Sequence, residues 1–281
     1  VIRVVYYVVG PDLLRGTWVQ QGWIFLTLAT VFMGSMLAYR EPVLKKRLAY
    51  STVSQVSYVL FGLSLMEPTA FVGALAHVVF HSLVKNALFL IAGAIIFYTG
   101  WTWVEDMKGL GRFMPVTLAC HTLVSLALVG IPPTSGFISK WYLALGALSS
   151  GTGVWEYAGP AVLLVSALLT AGYLLPLSIH GFFPGEETGG TLLQAAGEGL
   201  DHEPEPDWEH KPLQATSEDF RHRRDQDVVQ APAHKPAEAG MREPDLRMLL
   251  PIVVLTAGAV LLGCFPGPFL AMLETIAGQV F

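Results

Sequence analysis

Cysteine and charge are both scarce in this chain. It has 2 cysteines in 281 residues, and only 14% of its residues are charged, whereas soluble domains carry roughly 25%. Cys120 and Cys264 lie far apart in apolar segments, which excludes a CxxC motif or a disulfide framework. A basic stripe with interleaved aromatics, a haem motif and a Gly-rich nucleotide loop are also missing. We therefore expect no nucleic-acid partner, no redox centre, no metal and no other cofactor.

Long apolar runs are what the chain has instead, with 53% hydrophobic residues and a mean hydropathy of +0.51. Each run is about as long as the roughly 20 residues that cross a bilayer core, or longer. A helix on the outside of a soluble core would show one polar face, and these runs do not. The pattern predicts an all-α, polytopic transmembrane helical bundle with spans at about 18–39, 48–66, 71–98, 114–149, 160–183 and 247–265.

Most of the charges fall between residues 184 and 247, which divides the chain into three parts. Residues 1–183 are a predicted transmembrane domain, 184–246 a flexible cytoplasmic loop, and 247–281 a last transmembrane helix with a tail at the membrane interface. The loop is rich in Pro, Asp, Glu and Gln, which is typical of solvated segments. Its histidines are irregularly spaced, so a solvated loop is favoured over a metal site. They are His202, His210, His222 and His234.

The first residues predict a helix cut part-way. The chain begins Val-Ile-Arg without Met and has no signal-peptide layout. Residues 1–9 resemble the end of a helix that stops at Gly10-Pro11. We expect further membrane helices upstream, either on a longer form of this chain or on another polypeptide.

The segment 114–149 is long enough for two spans or for one broken span. An apolar run ends at Gly130, the sequence Ile131-Pro132-Pro133 interrupts it, and a second helical run follows. Basic residues cluster at 40–47, at 108–112 and in the long loop, and cytoplasmic loops are enriched in Lys and Arg. All three clusters fall on the same side only if 114–149 crosses once. We therefore predict one broken helix and cytoplasmic basic loops.

Three titratable residues are spaced by four within one apolar helix: His77, His81 and Lys85. This spacing places them on one helical face. A charge at mid-bilayer costs about 2.5–3.5 kcal/mol on insertion scales, so this face must look into the bundle or a wet cavity. Histidine exchanges protons near neutrality, and a desolvated lysine can change its charge state. The pattern favours a proton relay.

Two other interpretations of this cluster stay open at this point. The spacing His77xxxHis81 could bind zinc, but no Glu follows the first histidine and no third ligand is evident. The side chains could instead hold helices together through hydrogen bonds. Helix association does not require a lysine such as Lys85, which favours the relay.

Lys140 follows the predicted helix break by a few residues. Two prolines remove two backbone donors, and freed backbone groups at membrane depth are tolerated only inside protein or beside a wet cavity. Transporters place ion sites at broken helices. Lys140 is therefore a candidate gate, although with Trp141 and Tyr142 it could equally be an interfacial anchor.

Further polar residues are candidates for lining a proton path. One set shares a face of the second span and could hold water, although small polar residues also pack helices closely, and packing is the favoured interpretation for this set alone. His121 could relay protons or be a hydrogen-bonded core histidine. The candidates are Ser51, Ser54, Gln55 and Tyr58 on that face, His121 before the break, and Thr134, Ser135 and Ser139 at the break.

Several ordered motifs carry a resemblance to a known family. They are Leu48-Ala49-Tyr50-Ser51-Thr52-Val53-Ser54-Gln55, His77xxxHis81xxxLys85 with Asn86-Ala87-Leu88-Phe89, Gly109-Leu110-Gly111-Arg112-Phe113-Met114-Pro115, and Gly130-Ile131-Pro132-Pro133-Thr134-Ser135-Gly136-Phe137-Ile138-Ser139-Lys140-Trp141. The chain resembles the antiporter-like subunits shared by respiratory complex I, Mrp-type Na⁺/H⁺ antiporters and energy-converting membrane hydrogenases. The resemblance covers nearly the whole chain except 184–246.

The resemblance implies a second inverted repeat of a fourteen-span fold, followed by the last span. Lys85 then matches a central lysine, His77 and His81 its neighbours, and Lys140 a terminal lysine or glutamate on the broken helix. Protons would pass along a hydrated mid-membrane axis through these groups. The family's first repeat carries a glutamate–lysine pair that has no match here, so another membrane segment or subunit is expected to supply that half.

The resulting hypothesis is proton translocation, with cation/proton antiport as a variant, by a subunit of a larger membrane complex. Any oxidoreductase chemistry would belong to partner subunits, so the chain is not expected to be an enzyme on its own. A non-conducting membrane anchor is the alternative. A stand-alone small-solute carrier is a third hypothesis, and it predicts a mid-membrane cavity of solute size.

Overall fold

The computed structural model of the protein describes residues 1–184 and 243–281. Within these ranges the regular elements are helical, apart from an isolated antiparallel bridge between Val43 and Trp103. A π-helical turn, Arg3–Val9, comes first, and two short 3₁₀ turns, Val104–Met107 and Leu110–Arg112, lie near the middle of the chain. The helices are α1 (Pro11–Leu14), α2 (Trp18–Arg40), α3 (Leu44–Ser64), α4 (Pro68–Thr99), α5 (Pro115–Val129), α6 (Ser135–Leu148), α7 (Val154–Phe182), α8 (Leu246–Cys264) and α9 (Gly267–Ala277).

Local signals explain where the central helix, α4, begins and ends. The carboxylate of Glu67 accepts a hydrogen bond from the backbone N–H of Ala70 at 2.7 Å, which caps the first turn. Pro68 occupies the first helical turn, where its missing N–H costs no hydrogen bond. The helix ends at Gly100, whose φ of 73° suits a residue without a side chain.

Four of the described helices, α2, α4, α7 and α8, are long and apolar enough to cross a membrane. Helix α3 has 21 residues, but its serines and Gln55 lower its apolarity. Those polar side chains are largely buried among other helices. Helices α5 and α6 have 15 and 14 residues and are the two halves of one broken helix. The predicted all-α transmembrane bundle is confirmed.

The two halves of the broken helix pack along α4 end to end. Helix α6 lies against the first half of α4, where a Cβ on Gly146 would come within 2.6 Å of the Ala70 Cβ. Helix α5 lies against the second half of α4, where Val124 and Leu128 share an apolar cluster with Leu88. Both halves therefore run antiparallel to α4 in one line, as the prediction of a single broken crossing requires.

The segments that carry two of the basic clusters meet at one end of the bundle. The backbone N–H of Leu44 donates to the carbonyl of Thr102 at 3.0 Å, and that of Val104 donates to the carbonyl of Pro42 at 3.0 Å. These bonds join the α2–α3 turn to the chain that follows α4. We call this end, which holds Arg40–Arg47 and Lys108–Arg112, the basic end.

The last two helices close over the broken helix and α4. A Cβ on Gly263 of α8 would overlap the carbonyl oxygen of Pro133, so this glycine allows α8 to touch the break directly. Phe269 of α9 contacts Phe80 of α4, with ring centroids 5.4 Å apart. The predicted tail after the last span is thus mostly helix α9; its location at the membrane interface stays a prediction.

The predicted span boundaries differ from the helices by a few residues. The largest difference is in α7, which begins at Val154 rather than near residue 160, because the helix continues through Pro160. Pro160 lies inside this helix, where its missing N–H removes one backbone hydrogen bond without ending the helix. Apart from residue 184 and residues 243–246, the predicted loop 184–246 with its four histidines lies outside the described residues.

Candidate functional site

Helix α4 presents its titratable side chains on one buried face. His77 is 2% exposed and Lys85 5% exposed, while His81 between them is partly buried. Each step of four residues advances about 6 Å along the helix axis, so the three groups form a row about two turns long. The row faces α3 and the broken helix.

Lys85 lies at the end of the row that is nearer the basic end. Its ammonium group donates to the backbone carbonyl of Leu48 at 2.9 Å and to the hydroxyl of Ser51. Both partners are on α3, and both are neutral oxygens. The site therefore solvates the ammonium group without a permanent counter-charge in contact with it.

His77 lies at the other end of the row and contacts the second half of the broken helix. Its Nδ1 is 2.9 Å from the hydroxyl of Ser139 on α6. Its ring is stacked on Tyr58 with centroids 5.4 Å apart and on His81 with centroids 5.9 Å apart. Ser139 and the two stacked rings fix the plane of the imidazole.

Lys140 reaches back from α6 into the helix break. Its ammonium group donates to the backbone carbonyls of Leu128 at 2.6 Å and Val129 at 2.8 Å. The last four carbonyls of any helix have no partner inside the helix, and α5 ends at Val129. The ammonium group also lies over the ring of Tyr58, 5.2 Å from its centroid. The break thus supplies the backbone oxygens that bind the Lys140 ammonium group between the two halves of the broken helix.

Tyr58 joins the two lysine-bearing helices. Its hydroxyl donates to the carbonyl of Leu163 at 3.0 Å, and its side chain is fully buried. Lys140, Tyr58, His77 and His81 are therefore in continuous contact, with Lys85 one turn beyond. We call these five side chains the lysine–histidine row.

A small cavity opens beside the histidines. The volume that the centre of a water molecule can occupy is about 10 Å³, which is roughly enough for one water. Both polar atoms of the Gln55 amide and the Nε2 atoms of His77 and His81 have no hydrogen-bond partner among residues 1–184 and 243–281. The lining residues are Gln55, His77, Phe80, His81, Val84, Ala127, Leu128 and Gly136. Unpaired polar atoms around such a space make it a favourable position for water.

The structure brings only some of the other candidates to this row. Ser54 instead contacts Ser35 and Ser166, at 2.7 Å and 3.4 Å, where α2, α3 and α7 meet. Thr134 donates back to the carbonyl of Ile131 at the break, and Ser135 is buried beside it without a hydrogen-bond partner for its hydroxyl. Ser51, Gln55, Tyr58 and Ser139 are the candidates in or beside the row, and His121 faces α7.

Sequence reasoning did not identify the backbone oxygens of the site. The carbonyls of Leu48, Leu128 and Val129 accept hydrogen bonds from the two lysines. A signal for two of them exists, because Gly130 followed by two prolines predicts a helix end with unpaired carbonyls. A lysine such as Lys140 can donate hydrogen bonds to those carbonyls.

Metal ligands do not gather at this row. Across residues 1–184 and 243–281, no group of three or more His, Cys, Asp or Glu side chains is placed to hold a metal ion. His77 and His81 are stacked with an interplanar angle of 6°, an arrangement in which the rings face each other rather than converge on a shared ion.

Comparison with known proteins decides the family. Residues 3–181 match the family described as NADH:quinone oxidoreductase/Mrp antiporter, TM. The chain belongs to this family. It is 34% identical over 266 residues to the NADH-quinone oxidoreductase subunit N of Desulforudis audaxviator, covering 94% of this chain and 44% of that one. It is 32% identical over 164 residues to a Na(+)/H(+) antiporter subunit of Bacillus subtilis, covering 58% and 32%.

The fold of this NADH:quinone oxidoreductase/Mrp antiporter family member also matches a solved structure. A chain of the Mrp complex from Dietzia sp. superposes with a TM-score of 0.70 at 27% identity, covering 96% of this chain and 48% of that one. The present chain thus spans less than half the length of these relatives. The predicted membership in the antiporter-like subunit family is confirmed.

Proposed function

We propose that this chain carries protons through the membrane interior along the lysine–histidine row, as one part of a larger membrane complex. The observation that carries the proposal is the continuous contact from Lys140 through Tyr58 and His77 to His81, beside a cavity with unpaired polar atoms. Lys85 continues the row at its other end.

The partners of the two lysines favour a change of charge state over a fixed ion pair. Lys85 and Lys140 donate to backbone carbonyls and a hydroxyl. A carboxylate in contact would attract the ammonium group strongly in an apolar interior. Neutral oxygens stabilise the ammonium group less, so a proton can leave and return at a lower cost.

The histidines would pass protons between the two lysines. Each has an Nε2 that no described residue pairs with, and both line the cavity, where a water molecule would reach them. One proton bound at a ring nitrogen makes the imidazolium, and one proton released restores the neutral ring, so the relay consumes no other reactant. Since His77 is oriented by Ser139, a shift of α6 at the break would alter the relay.

Other parts of the complex would supply the rest of the proton path and any redox chemistry. The relatives are membrane subunits that are about twice as long or longer, so another membrane segment is expected to complete the path. The chain itself would perform no redox chemistry; in an assembly of the NADH:quinone oxidoreductase type, that chemistry belongs to partner subunits. One relative is named as a Na(+)/H(+) antiporter subunit, which keeps cation/proton antiport within the proposal.

The membrane would be the cell membrane of a prokaryote, with the basic end on the cytoplasmic side. The bonds between the α2–α3 turn and the chain after α4 support one shared side for Arg40–Arg47 and Lys108–Arg112. The long, apolar helices α2, α4, α7 and α8 support a multi-pass arrangement.

The test uses membrane vesicles that contain the chain with the subunits that co-purify with it. Lys85→Ala and Lys140→Ala are each expected to abolish ion-coupled transport, followed with a pH-sensitive dye, while the amount of assembled complex stays unchanged. Lys46→Ala, at the basic end and away from the row, is the matched control and should transport normally. Unchanged transport in both row variants would overturn the proposal.

A non-conducting anchor is the alternative that this test separates, since an anchor requires assembly but not transport. The capped ammonium groups of both lysines are compatible with it, whereas the unpaired amide of Gln55 and the cavity are not needed for it. The small-solute carrier is disfavoured at this site, because a space of about one water is far below the roughly 300–1,000 Å³ of ligand pockets.

A further inference from the structure

A second polar stripe runs along α5, the first half of the broken helix. Thr117, His121 and Ser125 are spaced by four residues and are all buried, with exposures of 0%, 1% and 0%. Val129 is four residues further, and its carbonyl accepts a hydrogen bond from Lys140 at 2.8 Å. The spacing puts the three side chains on one face of α5 that ends at the Lys140 site.

The two inner members of this stripe have unused hydrogen-bonding atoms. His121 Nδ1 is 3.0 Å from the hydroxyl of Ser178 on α7, but its Nε2 has no hydrogen-bond partner in the part of the chain that the structure describes. The hydroxyl of Ser125 has none either. A buried polar atom left unpaired destabilises the folded state, so two of them on one stripe are unfavourable if packing is their only role. They are positioned to bind water or a proton.

The outer end of the stripe carries a carboxylate. Glu243, which is partly exposed and precedes α8, accepts a hydrogen bond from the Thr117 hydroxyl at 2.7 Å and also contacts the backbone N–H groups of Val116 and Thr117. Helix α5 starts from the chain that holds Lys108 and Arg112, so this carboxylate lies at the basic end.

We propose that Glu243, Thr117, His121 and Ser125 form a branch that carries protons between the basic end and Lys140. The branch rests on the proposed function, because Lys140 is its inner terminus, but it uses a different face: the row lies where α3, α4 and α6 meet, whereas His121 faces Ser178 of α7. Successive members are separated by about 6 Å along the helix axis, a gap that a water molecule can bridge. One proton enters and one leaves, so His121 returns to its neutral form.

A test of water access does not depend on transport. The native cysteines are first replaced, Cys120→Ala and Cys264→Ala, and Ser125→Cys or Val124→Cys is then introduced. Both positions are 0% exposed and at the same depth, but Val124 faces the apolar cluster with α4. A membrane-impermeant methanethiosulfonate cation is added from the side of the basic end or from the opposite side of oriented vesicles containing the whole complex.

Ser125→Cys is expected to react at least about tenfold faster than Val124→Cys from the basic-end side, because a thiol reacts only where water and reagent reach it. Equal rates for the two variants, or faster reaction of Ser125→Cys from the opposite side, would overturn the branch. A Ser125→Cys variant that fails to fold would react at similar rates from both sides of the vesicles, so a rate that depends on the side of addition excludes that case.

A transport measurement separates the branch from the row. His121→Phe is expected to lower transport severalfold, while Thr122→Val is not, because Thr122 is adjacent but donates to Leu118 of its own helix at 2.9 Å. If Lys85→Ala and Lys140→Ala abolish transport while His121→Phe and Ser125→Cys behave as their controls, the branch is wrong and the proposed function stands. If Ser125→Cys reacts as expected while the lysine variants transport normally, the proposed function is wrong, but the inference that water reaches position 125 from the basic end stands.

Discussion

The ammonium group of Lys140 lies over the ring of Tyr58, 5.2 Å from its centroid. The same ring stacks on His77 at an angle of 12°. A buried aromatic ring thus connects a lysine on the broken helix to a histidine on α4. Desolvated cation–π contacts contribute up to about 2 kcal/mol, so the ring helps to hold the charged form of Lys140 inside the bundle.

Tyr58 makes a hydrogen bond through its hydroxyl and contacts Lys140 and His77 through its ring, and two substitutions can test these interactions separately. Tyr58→Phe keeps the ring and loses the hydrogen bond to Leu163, which is expected to cost about 1 kcal/mol of stability and leave transport nearly unchanged. Tyr58→Leu removes the ring and is expected to lower transport by about tenfold, since about 1.4 kcal/mol corresponds to that factor. The assay is vesicle acidification, normalised to the assembled complex. Equal transport by the two variants would contradict a role for the ring.

Substitution of Ser51 tests the hydrogen bond from the Lys85 ammonium group to its hydroxyl. Ser51→Ala removes the hydroxyl that accepts from the Lys85 ammonium group, and hydrogen bonds to charged groups contribute about 1.5–3 kcal/mol. We expect transport to fall by about tenfold or more. Ser57→Ala is the matched control on the same helix, because the Ser57 hydroxyl donates to Val53 one turn earlier. The idea fails if both variants transport at the same rate in vesicles.

Ser139 tests the orientation of His77. Ser139→Ala leaves the buried Nδ1 of His77 unpaired, which costs about 1–3 kcal/mol and frees the ring to turn. Transport should decrease while the complex still assembles, as judged by co-purification of its subunits. Ser149→Ala, at an exposed position at the end of α6, should behave as the unmodified chain. Normal transport in Ser139→Ala would show that the stacked rings alone orient His77.

Gly263 tests the contact between α8 and the helix break. Gly263→Ala places a Cβ on the carbonyl of Pro133, and overpacking of this kind typically costs about 1–3 kcal/mol. The thermal unfolding midpoint of the purified complex should fall. Gly258→Ala is the control, since nothing lies within 4 Å of a Cβ at that position of the same helix. A fall of the same size in both variants would indicate a general effect of alanine in α8.

Some features were determined by the sequence alone. Apolar runs of bilayer length predicted the spans, because backbone groups in lipid must be paired within helices. The spacing of His77, His81 and Lys85 placed them on one face, since local helical geometry is independent of the rest of the fold. The basic clusters predicted that 114–149 crosses once, and Gly130 with Pro132 and Pro133 located the break.

Other features depended on how distant segments pack. The stacking of Tyr58 on His77 joins α3 to α4, and the contact of Lys140 with the carbonyls of α5 depends on the angle at the break. Ser54 and Ser51 share one helix face in sequence, yet Ser54 packs against α2 and α7 while Ser51 binds Lys85. Helical periodicity shows which residues share a face, but it carries no information on which neighbour that face meets. The tertiary structure decided that, because side-chain volume and glycine contacts between helices fix their arrangement.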